Sequence, residues 1–256
     1  MKIAIVCYPT FGGSGVVATE LGLELAKRGH EIHFITYSQP VRLALLSKNV
    51  YYHEVHVPEY PLFHYQPYEL ALSSKLVDMI KLYGIELLHV HYAIPHAYAG
   101  YMAKKMLQDE GINIPMVTTL HGTDITLVGN HPYYKPAVSF SINHSDYVTS
   151  VSQSLKDDTY RLFDIDKEIV VIPNFIENNK ELLKKDEPCH RSLMANEDEK
   201  IITHISNFRK VKRIDDVVKI FYEIQKEVPS KLMMVGEGPE KEAAENLCAQ
   251  LKIHDK

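Results

Sequence analysis

Short apolar runs alternate along the chain with longer stretches in which apolar residues recur every three or four positions. The short runs predict buried β-strands, and the longer stretches predict amphipathic helices. Strands are predicted at residues 2–8, 31–37, 50–57, 86–92, 116–122, 147–152 and 169–174, and helices at 15–28, 67–83 and 96–110. Strands that alternate with helices across short connections are typical of a doubly wound α/β domain with a parallel sheet.

The pattern changes after Asn174. Residues 177–200 are polar, charged and without clear periodicity, which indicates a linker or crossover. A second alternation follows, with strands predicted at 201–206 and 231–236 and helices at 213–228 and 239–251.

We therefore expect an N-terminal Rossmann-like domain over residues 1–174 and a linker over 175–200. The start of a second Rossmann-like domain is expected over residues 201–256. Two strands and two helices make only part of a doubly wound domain, because its sheet needs cover on both faces. The second domain is therefore expected to be incomplete, in a chain truncated at its C-terminus.

Composition excludes several classes of function. The 256 residues carry a net charge of -5 without a block of lysines and arginines, which argues against a surface for nucleic acids or a polybasic membrane surface. No segment is apolar for long enough to cross a bilayer, and the run at residues 2–8 is too short for a signal peptide. Cys7, Cys189 and Cys248 match neither a disulfide framework nor a metal spacing. We expect a cytoplasmic protein with reduced thiols.

A glycine-rich turn at residues 11–18, FGGSGVVA, follows the first predicted strand and opens the first helix. Gly13, Gly15 and Ala18 fit the G-x-G-x-x-G/A pattern, in which free N–H groups at a helix start face an anion. A dinucleotide site also needs an acidic residue at the end of the next strand, and residues 36–39, TYSQ, contain none. The turn favours an anionic or sugar ligand, and a tight turn without a ligand stays open as the alternative.

Polar residues also follow the other predicted strands at their carboxyl ends, where ligands bind in open α/β sheets. They include His91, Tyr92, Thr119, His121, Asp124, Thr149 and Asn174. His121, in the stretch LHGTD, fits either a catalytic or sugar-contacting group or a histidine that is bonded locally to Asp124. A metal site formed by His89, His91 and His96 is disfavoured, because no cysteine or carboxylate partner is nearby in sequence.

Four cations, Arg209, Lys210, Lys212 and Arg213, lie where the first strand of the second domain meets its helix. A pyrophosphate bound there would meet both the charged side chains and the helix N-terminus. A solvated basic turn is the alternative, because charged runs usually face water.

Four stretches resemble the retaining GT-B glycosyltransferases. They are YPTFGGSGVVATELG (8–22), HVHYAIPHA (89–97), TTLHGTDITLVG (118–129) and ISNFRKVKRIDDVV (205–218). More closely, they are similar to the family that transfers N-acetylglucosamine from UDP-GlcNAc to L-malate in the first step of bacillithiol biosynthesis. The likeness covers essentially the whole chain. It implies a GT-B fold of two Rossmann-like domains and transfer to the malate hydroxyl with retention, without a metal ion or other cofactor.

The resemblance also implies roles for individual residues. Arg209 and Lys212 would hold the diphosphate, with Ser206 and Asn207 shaping their loop, and the choice between Lys212 and Arg213 stays open. These cations take over the electrostatic task that metals perform in other transferases.

The remaining implied residues lie in the first domain. His121 would contact the donor sugar near the reacting carbon. Gly13, Ser14 and Gly15 would lie against the sugar, the diphosphate and the acceptor. Tyr92, Thr119 and Asn174 would contact the acceptor, and Thr149 would be a further substrate-binding residue.

These enzymes carry a Glu-x7-Glu element and a uridine-binding stretch in a later part of the second domain, which the sequence does not include. We therefore expect the fragment alone to be inactive or nearly so. The partners expected are UDP-GlcNAc and L-malate, with no nucleic acid and no membrane, and a homo-oligomer stays open. Two alternatives remain, namely a different acceptor, such as inositol phosphate or another sugar, and a non-catalytic nucleotide-sugar-binding module.

Overall fold

The structure, a computed structural model, describes residues 1–43, 47–176 and 190–256. The chain divides into two compact units, Met1–Ile176 and Glu177–Lys256. Residues 177–189 of the predicted linker, with Cys189, lie outside the described residues. The other two cysteines, Cys7 and Cys248, are free thiols.

Among its described residues, the first unit contains a sheet of seven strands and five α-helices. The strands are β1 (Lys2–Val6), β2 (Glu31–Thr36), β3 (Val50–Glu54), β4 (Leu87–His91), β5 (Met116–Leu120), β6 (Tyr147–Ser150) and β7 (Ile169–Val171). The helices are α1 (Gly13–Lys27), α2 (Tyr68–Tyr83), α3 (Tyr98–Asp109), α4 (Lys135–Asn143) and α5 (Gln153–Leu162). All strand pairs are parallel. The doubly wound α/β fold predicted from the alternation is confirmed.

The strand order is β3-β2-β1-β4-β5-β6-β7, so the direction of sheet growth reverses at β1. The chain first builds outward through β2 and β3 and then adds β4 on the other side of β1. At such a switch point a crevice opens beyond the carboxyl ends of the two central strands. Val6 at the end of β1 is in register with Val90 of β4. The glycine turn after β1 and the residues after β4 therefore border the same crevice.

The core lies on both faces of the sheet, which explains the uninterrupted apolar character of β1. Ala4 and Val6 pack into the cluster that contains α2 and α3, whereas Ile3 and Ile5 pack into the cluster that contains Ala18 of α1. Successive strand residues point to opposite faces, so a strand covered on both sides needs an apolar residue at every position.

Periodicity did not predict α4 and α5. The buried residues are Val138, Ser141 and Ile142 in α4 and Leu155 and Thr159 in α5, so a serine or a threonine interrupts the apolar face of each helix. The start of α5 did carry a local signal. The Ser152 hydroxyl accepts a hydrogen bond from the backbone N–H of Leu155 at 3.2 Å, which is a side-chain N-cap.

The described part of the second unit contains the parallel strands β8 (Lys200–Ile205) and β9 (Ser230–Val235). The helices α6 (Ile214–Glu227) and α7 (Lys241–Gln250) follow the two strands in turn. Phe208, Val218 and Phe221 are the centre of a small core between these elements. The strand–helix–strand–helix order predicted for this part of the chain is confirmed.

Candidate active site

The glycine turn places the N-terminus of α1 at the crevice. The helix begins at Gly13, two residues earlier than predicted, and Gly12 before it has an extended backbone (φ -73°, ψ 155°). No described side chain caps this end of the helix. The first N–H groups of a helix have no partner within the helix, and the helix dipole places partial positive charge beside them. This end of α1 can therefore donate hydrogen bonds to an anion.

The two predicted glycines of the turn have different surroundings. A Cβ atom at Gly13 would have no described atom within 4 Å outside its own neighbours, whereas one at Gly15 would lie 2.3 Å from the carbonyl oxygen of Tyr8. Gly15 is therefore required by the close approach of α1 to the preceding loop. The open space at Gly13 is where a ligand could approach the helix start.

Tyr92 joins three of the predicted stretches. Its hydroxyl oxygen lies 3.1 Å from Oγ of Ser14 in the glycine turn and 3.0 Å from Oγ1 of Thr123 after β5. The backbone of Tyr92 is left-handed, with φ +85°, which is uncommon for a bulky residue. Strained residues of this kind persist only where the surrounding structure holds them in place, and they cluster at ligand sites. The structure therefore brings Ser14 and Tyr92 together, as expected of residues in one site.

His121 lies against Tyr92. The two rings stack with centroids 5.3 Å apart and planes inclined by 23°. Nε2 of His121 is 2.8 Å from Nδ1 of His91 at the end of β4. The local bond to Asp124 also exists, but the backbone N–H of His121 makes it, at 3.1 Å. The imidazole itself is held by His91.

Asp124 holds the loops after β4 and β5 together. It is 2% exposed. Its Oδ2 accepts the backbone N–H of Ala93 at 3.0 Å, and its Oδ1 accepts those of His121 and Gly122 at 3.1 and 2.9 Å. Burial raises the pKa of the Asp124 carboxyl, and these N–H donors oppose that rise. Sequence reasoning noticed Asp124 only as a neighbour of His121 and missed this function.

Burial keeps the histidines of the crevice uncharged. It lowers the pKa values of His89, His96 and His121 to about 4 and that of His91 well below the ordinary histidine value. The physical cause is desolvation, which penalises the imidazolium form. At neutral pH each ring therefore carries one proton and offers one donor and one acceptor.

Thr119 and Thr149 are paired on β5 and β6, and their hydroxyl oxygens are 2.7 Å apart. Nε2 of His89 is 2.8 Å from Oγ1 of Thr119, and the His89 ring stacks on His91 at 4.5 Å. The threonine pair is therefore hydrogen-bonded to His89, whose ring in turn contacts His91. Asn174 is exposed beyond the end of β7, and no hydrogen bond joins it to another described residue.

In the second unit, the four cations surround the start of α6. Residues 210–212 form a 3₁₀ turn, and Arg213 then adopts a left-handed backbone with φ +50°. All four side chains are exposed. Nε of Arg213 is bonded to Asp216 on α6, whereas no ion pair with another described residue engages Arg209 or Lys212. Lys212 and Arg213 therefore differ in their contacts with the described residues, and which of them binds a phosphate stays a prediction.

The loops after β8 and β9 interlock through their backbones. The N–H of Phe208 donates to the carbonyl oxygen of Glu237 at 2.8 Å. Gly236 and Gly238 have φ angles of +145° and +157°, and a Cβ atom at Gly236 would lie 1.8 Å from the carbonyl oxygen of Ser206. Glycine at these positions lets the second loop pack against the first and fixes the backbone that carries the cations.

The two polar residues predicted to shape the cation loop lie at its start. Oγ of Ser206 is 2.8 Å from Nε2 of His204 on β8. The carbonyl oxygen of Asn207 accepts the backbone N–H of Arg209 at 2.8 Å, and its side chain is exposed. Ser206 is therefore engaged with the strand, and the Asn207 amide is available at the surface.

Two models of known families match the chain. The model described as Glycosyltransferase Family 4 matches residues 11–180, and the model described as Glycosyl transferases group 1 matches residues 185–256. The first match covers more than half of the chain. The chain belongs to glycosyltransferase family 4.

Curated relatives extend over the whole chain. N-acetyl-alpha-D-glucosaminyl L-malate synthase of Bacillus anthracis is 48% identical over 256 residues, which is 100% of this chain and 66% of that protein. An uncharacterized glycosyltransferase of Methanocaldococcus jannaschii is 27% identical over 276 residues, which is 100% of this chain and 68% of that protein. The chain thus spans about two thirds of the length of these relatives.

Solved structures show the same fold. A glycosyltransferase from Rickettsia africae superposes with a TM-score of 0.68 at 20% identity, covering 100% of this chain and 66% of that one. Anabaena Alr3699/HepE in complex with UDP and glucose superposes with a TM-score of 0.70 at 15% identity, covering 100% of this chain and 67% of that one. The fold of this family 4 chain is therefore GT-B, as the sequence resemblance implied.

Two further observations concern the described residues of this glycosyltransferase. No three of their His, Cys, Asp or Glu side chains are grouped so that they could hold a metal ion. Of the three histidines considered for a metal site from the sequence, His96 has its Nδ1 2.6 Å from the carbonyl oxygen of His91. No helix in the described ranges is long and apolar enough to traverse a membrane.

Proposed function

We propose that this chain belongs to a retaining glycosyltransferase that transfers N-acetylglucosamine from UDP-GlcNAc to the hydroxyl of L-malate. The observation that carries the proposal is the 48% identity over all 256 residues to the Bacillus anthracis protein that is named for this product. The GT-B fold supports the reaction class. The crevice and the cation turn supply groups that suit an acceptor dianion and a nucleotide diphosphate.

On the acceptor side, the proposal assigns the carboxylates of malate to the start of α1. The N–H groups there lack a side-chain cap among the described residues, and Gly13 leaves the approach open. Ser14 and Tyr92 adjoin this position and can hydrogen-bond the acceptor. We retain Thr119, Thr149 and Asn174 as further acceptor contacts, and Gly15 as the residue that brings the helix close to its loop.

On the donor side, the proposal assigns the diphosphate to Arg209 and Lys212. Both are exposed, and no other described residue pairs with them, so their charges are available to a ligand. As the bond between sugar and diphosphate breaks, negative charge grows on the leaving UDP, and fixed cations stabilise it most at that moment. Ser206 and Asn207 shape the loop, and we propose that neither a metal ion nor an organic cofactor is needed.

His121 is assigned to the donor sugar near the reacting carbon. Its ring is fixed on one face by Tyr92 and at Nε2 by His91, so it can present its remaining nitrogen in a defined direction. A group held in this way contributes by orientation, because little freedom is lost when the substrate binds. We propose a cytoplasmic location. A homo-oligomer is left open.

The test begins with sequencing of the gene beyond the codon for Lys256. The full-length protein that the gene encodes is then purified. It is incubated with UDP-GlcNAc and L-malate, and the product is identified by mass spectrometry and by the anomeric proton coupling. We expect N-acetylglucosaminyl malate with the α configuration. Parallel reactions contain D-malate, inositol phosphate or no acceptor. Product with another acceptor alone would replace malate in the proposal, and UDP binding without any transfer would favour the non-catalytic module.

A further inference from the structure

The hydrogen bond between His91 and His121 has a direction, and that direction decides what His121 can offer a ligand. The two nitrogens, Nδ1 of His91 and Nε2 of His121, are 2.8 Å apart. Burial lowers both pKa values far below neutrality, so one proton lies between the two rings and each ring keeps one proton. Either ring could be the donor if only this distance were considered.

The other nitrogen of His91 decides which ring is the donor. Nε2 of His91 is buried, and no described residue is within hydrogen-bonding distance of it. If this nitrogen carried the proton, a buried N–H donor would lack an acceptor, which native proteins avoid more strictly than an unused acceptor. The lower-energy arrangement leaves Nε2 of His91 unprotonated and places the proton of that ring on Nδ1.

We infer that His91 is a positioning residue that donates its Nδ1–H to Nε2 of His121 and thereby fixes the proton of His121 on Nδ1. No described residue accepts a hydrogen bond from that N–H, so it is available to a ligand oxygen. His121 therefore acts as a hydrogen-bond donor. It cannot take a proton from an acceptor hydroxyl through Nδ1, because that nitrogen is already protonated. The contact with substrate rests on the proposed function, whereas the proton position does not.

The surroundings hold both rings in this arrangement. His121 stacks on Tyr92, and its backbone N–H is fixed by Asp124. The His91 ring stacks on that of His89, and the carbonyl oxygen of His91 accepts a hydrogen bond from Nδ1–H of His96. A ring flip of His121 would remove Nε2 from His91, and a shift of both protons would create the unsatisfied N–H. The environment therefore opposes each route to the other tautomer.

The decisive measurement is a long-range ¹H–¹⁵N spectrum of the protein with ¹⁵N-labelled histidine at neutral pH, in which the two tautomers give different patterns. His96 and His144 provide internal references, because Nδ1 of each faces a backbone carbonyl, which can only accept. We expect His91 and His121 to match these references. A His121 signal from the Nε2–H form, or from a mixture of both forms, would overturn the inference.

Two variants then separate positioning from packing. In His91→Asn the side-chain amide places an N–H donor close to the former position of Nδ1. In His91→Met the side chain fills the space but has no hydrogen-bond donor. We expect His91→Asn to retain the Nδ1–H pattern of His121, and His91→Met to lose it. In the complete enzyme, His91→Met should lower kcat roughly tenfold, with KM for L-malate little changed, because one neutral hydrogen bond of the transition state is misdirected.

Each result has a defined meaning. If His91→Met leaves the His121 pattern unchanged, His91 does not set the tautomer and the inference is wrong. If the patterns are as expected but the wild-type enzyme makes no product from L-malate, the proposed function fails and the proton position stands. Should the variants not fold, the wild-type spectrum alone still decides where the His121 proton lies.

Discussion

The two groups of candidate residues are built on opposite principles. In the crevice of the first unit, the histidine side chains are buried or half-buried, neutral and in contact with one another, as the hydrogen bond between His91 and His121 shows. In the cation turn of the second unit, Arg209 and Lys212 are charged, exposed and bonded to no other described side chain. Backbone contacts through Gly236 and Gly238 hold that turn instead.

The difference follows from the cost of burying charge. A polar group inside the protein must be neutral or fully bonded, so the crevice gains fixed geometry and gives up net charge. Exposed cations keep their charge at little cost, but water and salt screen them until a ligand covers them. Changes in the crevice should therefore affect folding as well as function, and changes in the cation turn should affect ligand binding alone.

The largest expected effect is a loss of stability on acidification. Histidines whose folded pKa lies near 4, such as His89 and His121, bind fewer protons in the folded than in the unfolded state between about pH 6.5 and pH 4. Stability is therefore fully present above pH 6.5 and is lost as the pH falls towards 4. The loss should be on the order of 2 kcal/mol for each such histidine. Urea unfolding at several pH values measures it.

A matched variant sharpens the acid experiment. His89→Gln removes one buried titrating ring, so its stability should depend less steeply on pH than that of the wild-type protein. His254→Gln replaces an exposed histidine of the second unit and is the control for the substitution itself. Equal slopes for all three proteins would contradict the buried, neutral description of the crevice.

The next effect is the loss of the Asp124 contacts. Asp124→Ala leaves the N–H groups of Ala93, His121 and Gly122 without their acceptor in a buried site. Each unsatisfied donor costs about 1–3 kcal/mol, so the free energy of unfolding should fall by about 3 kcal/mol or more. Thermal and urea unfolding provide the measurement. Asp109→Ala, at an exposed carboxylate, is the control and should change stability by less than about 0.5 kcal/mol.

Removing a free cation should leave folding intact and weaken nucleotide binding. In the complete enzyme, Arg209→Ala should reduce affinity for UDP about tenfold, since a charge-assisted hydrogen bond contributes roughly 1.5–3 kcal/mol. Arg213→Ala is the matched comparison. Because Arg213 is already bonded to Asp216, it should change affinity by less than about threefold. Isothermal titration at fixed ionic strength tests both, and equal losses would remove the distinction between paired and free cations.

The last and smallest expected effect is that of a substitution at Gly13. Its Cβ space is open, so Gly13→Ala should change the free energy of unfolding by less than about 1 kcal/mol while raising KM for L-malate, because the new methyl group occupies the approach to the helix start. Gly15→Ala, in contrast, should lower the free energy of unfolding. Its Cβ would lie 2.3 Å from the Tyr8 carbonyl oxygen, and we expect destabilisation of about 2 kcal/mol. Unchanged malate kinetics in Gly13→Ala would leave the turn as a purely structural feature.

The order of strands and helices could be predicted from the sequence because burial on a sheet or helix face imposes a local period on the apolar residues. The positions of the polar residues followed from that order, since the carboxyl ends of parallel strands share one edge. Tyr92 and His121 were selected in this way, and the structure places them in contact. The short helices α4 and α5 were missed, because the polar residues Ser141 and Thr159 take buried positions and interrupt the apolar pattern.

Contacts between distant residues were decided by the tertiary structure alone. His91 and His121 are 30 positions apart, and Asp124 meets Ala93 across 31. Even the neighbours Lys212 and Arg213 differ in their contacts, because the Arg213 side chain is bonded to Asp216 of α6. The sequence determines which side chains reach the edge of the sheet. Strand register, burial and loop packing decide which of them pair, which stay neutral and which keep a free charge, because those properties depend on atoms that are remote along the chain.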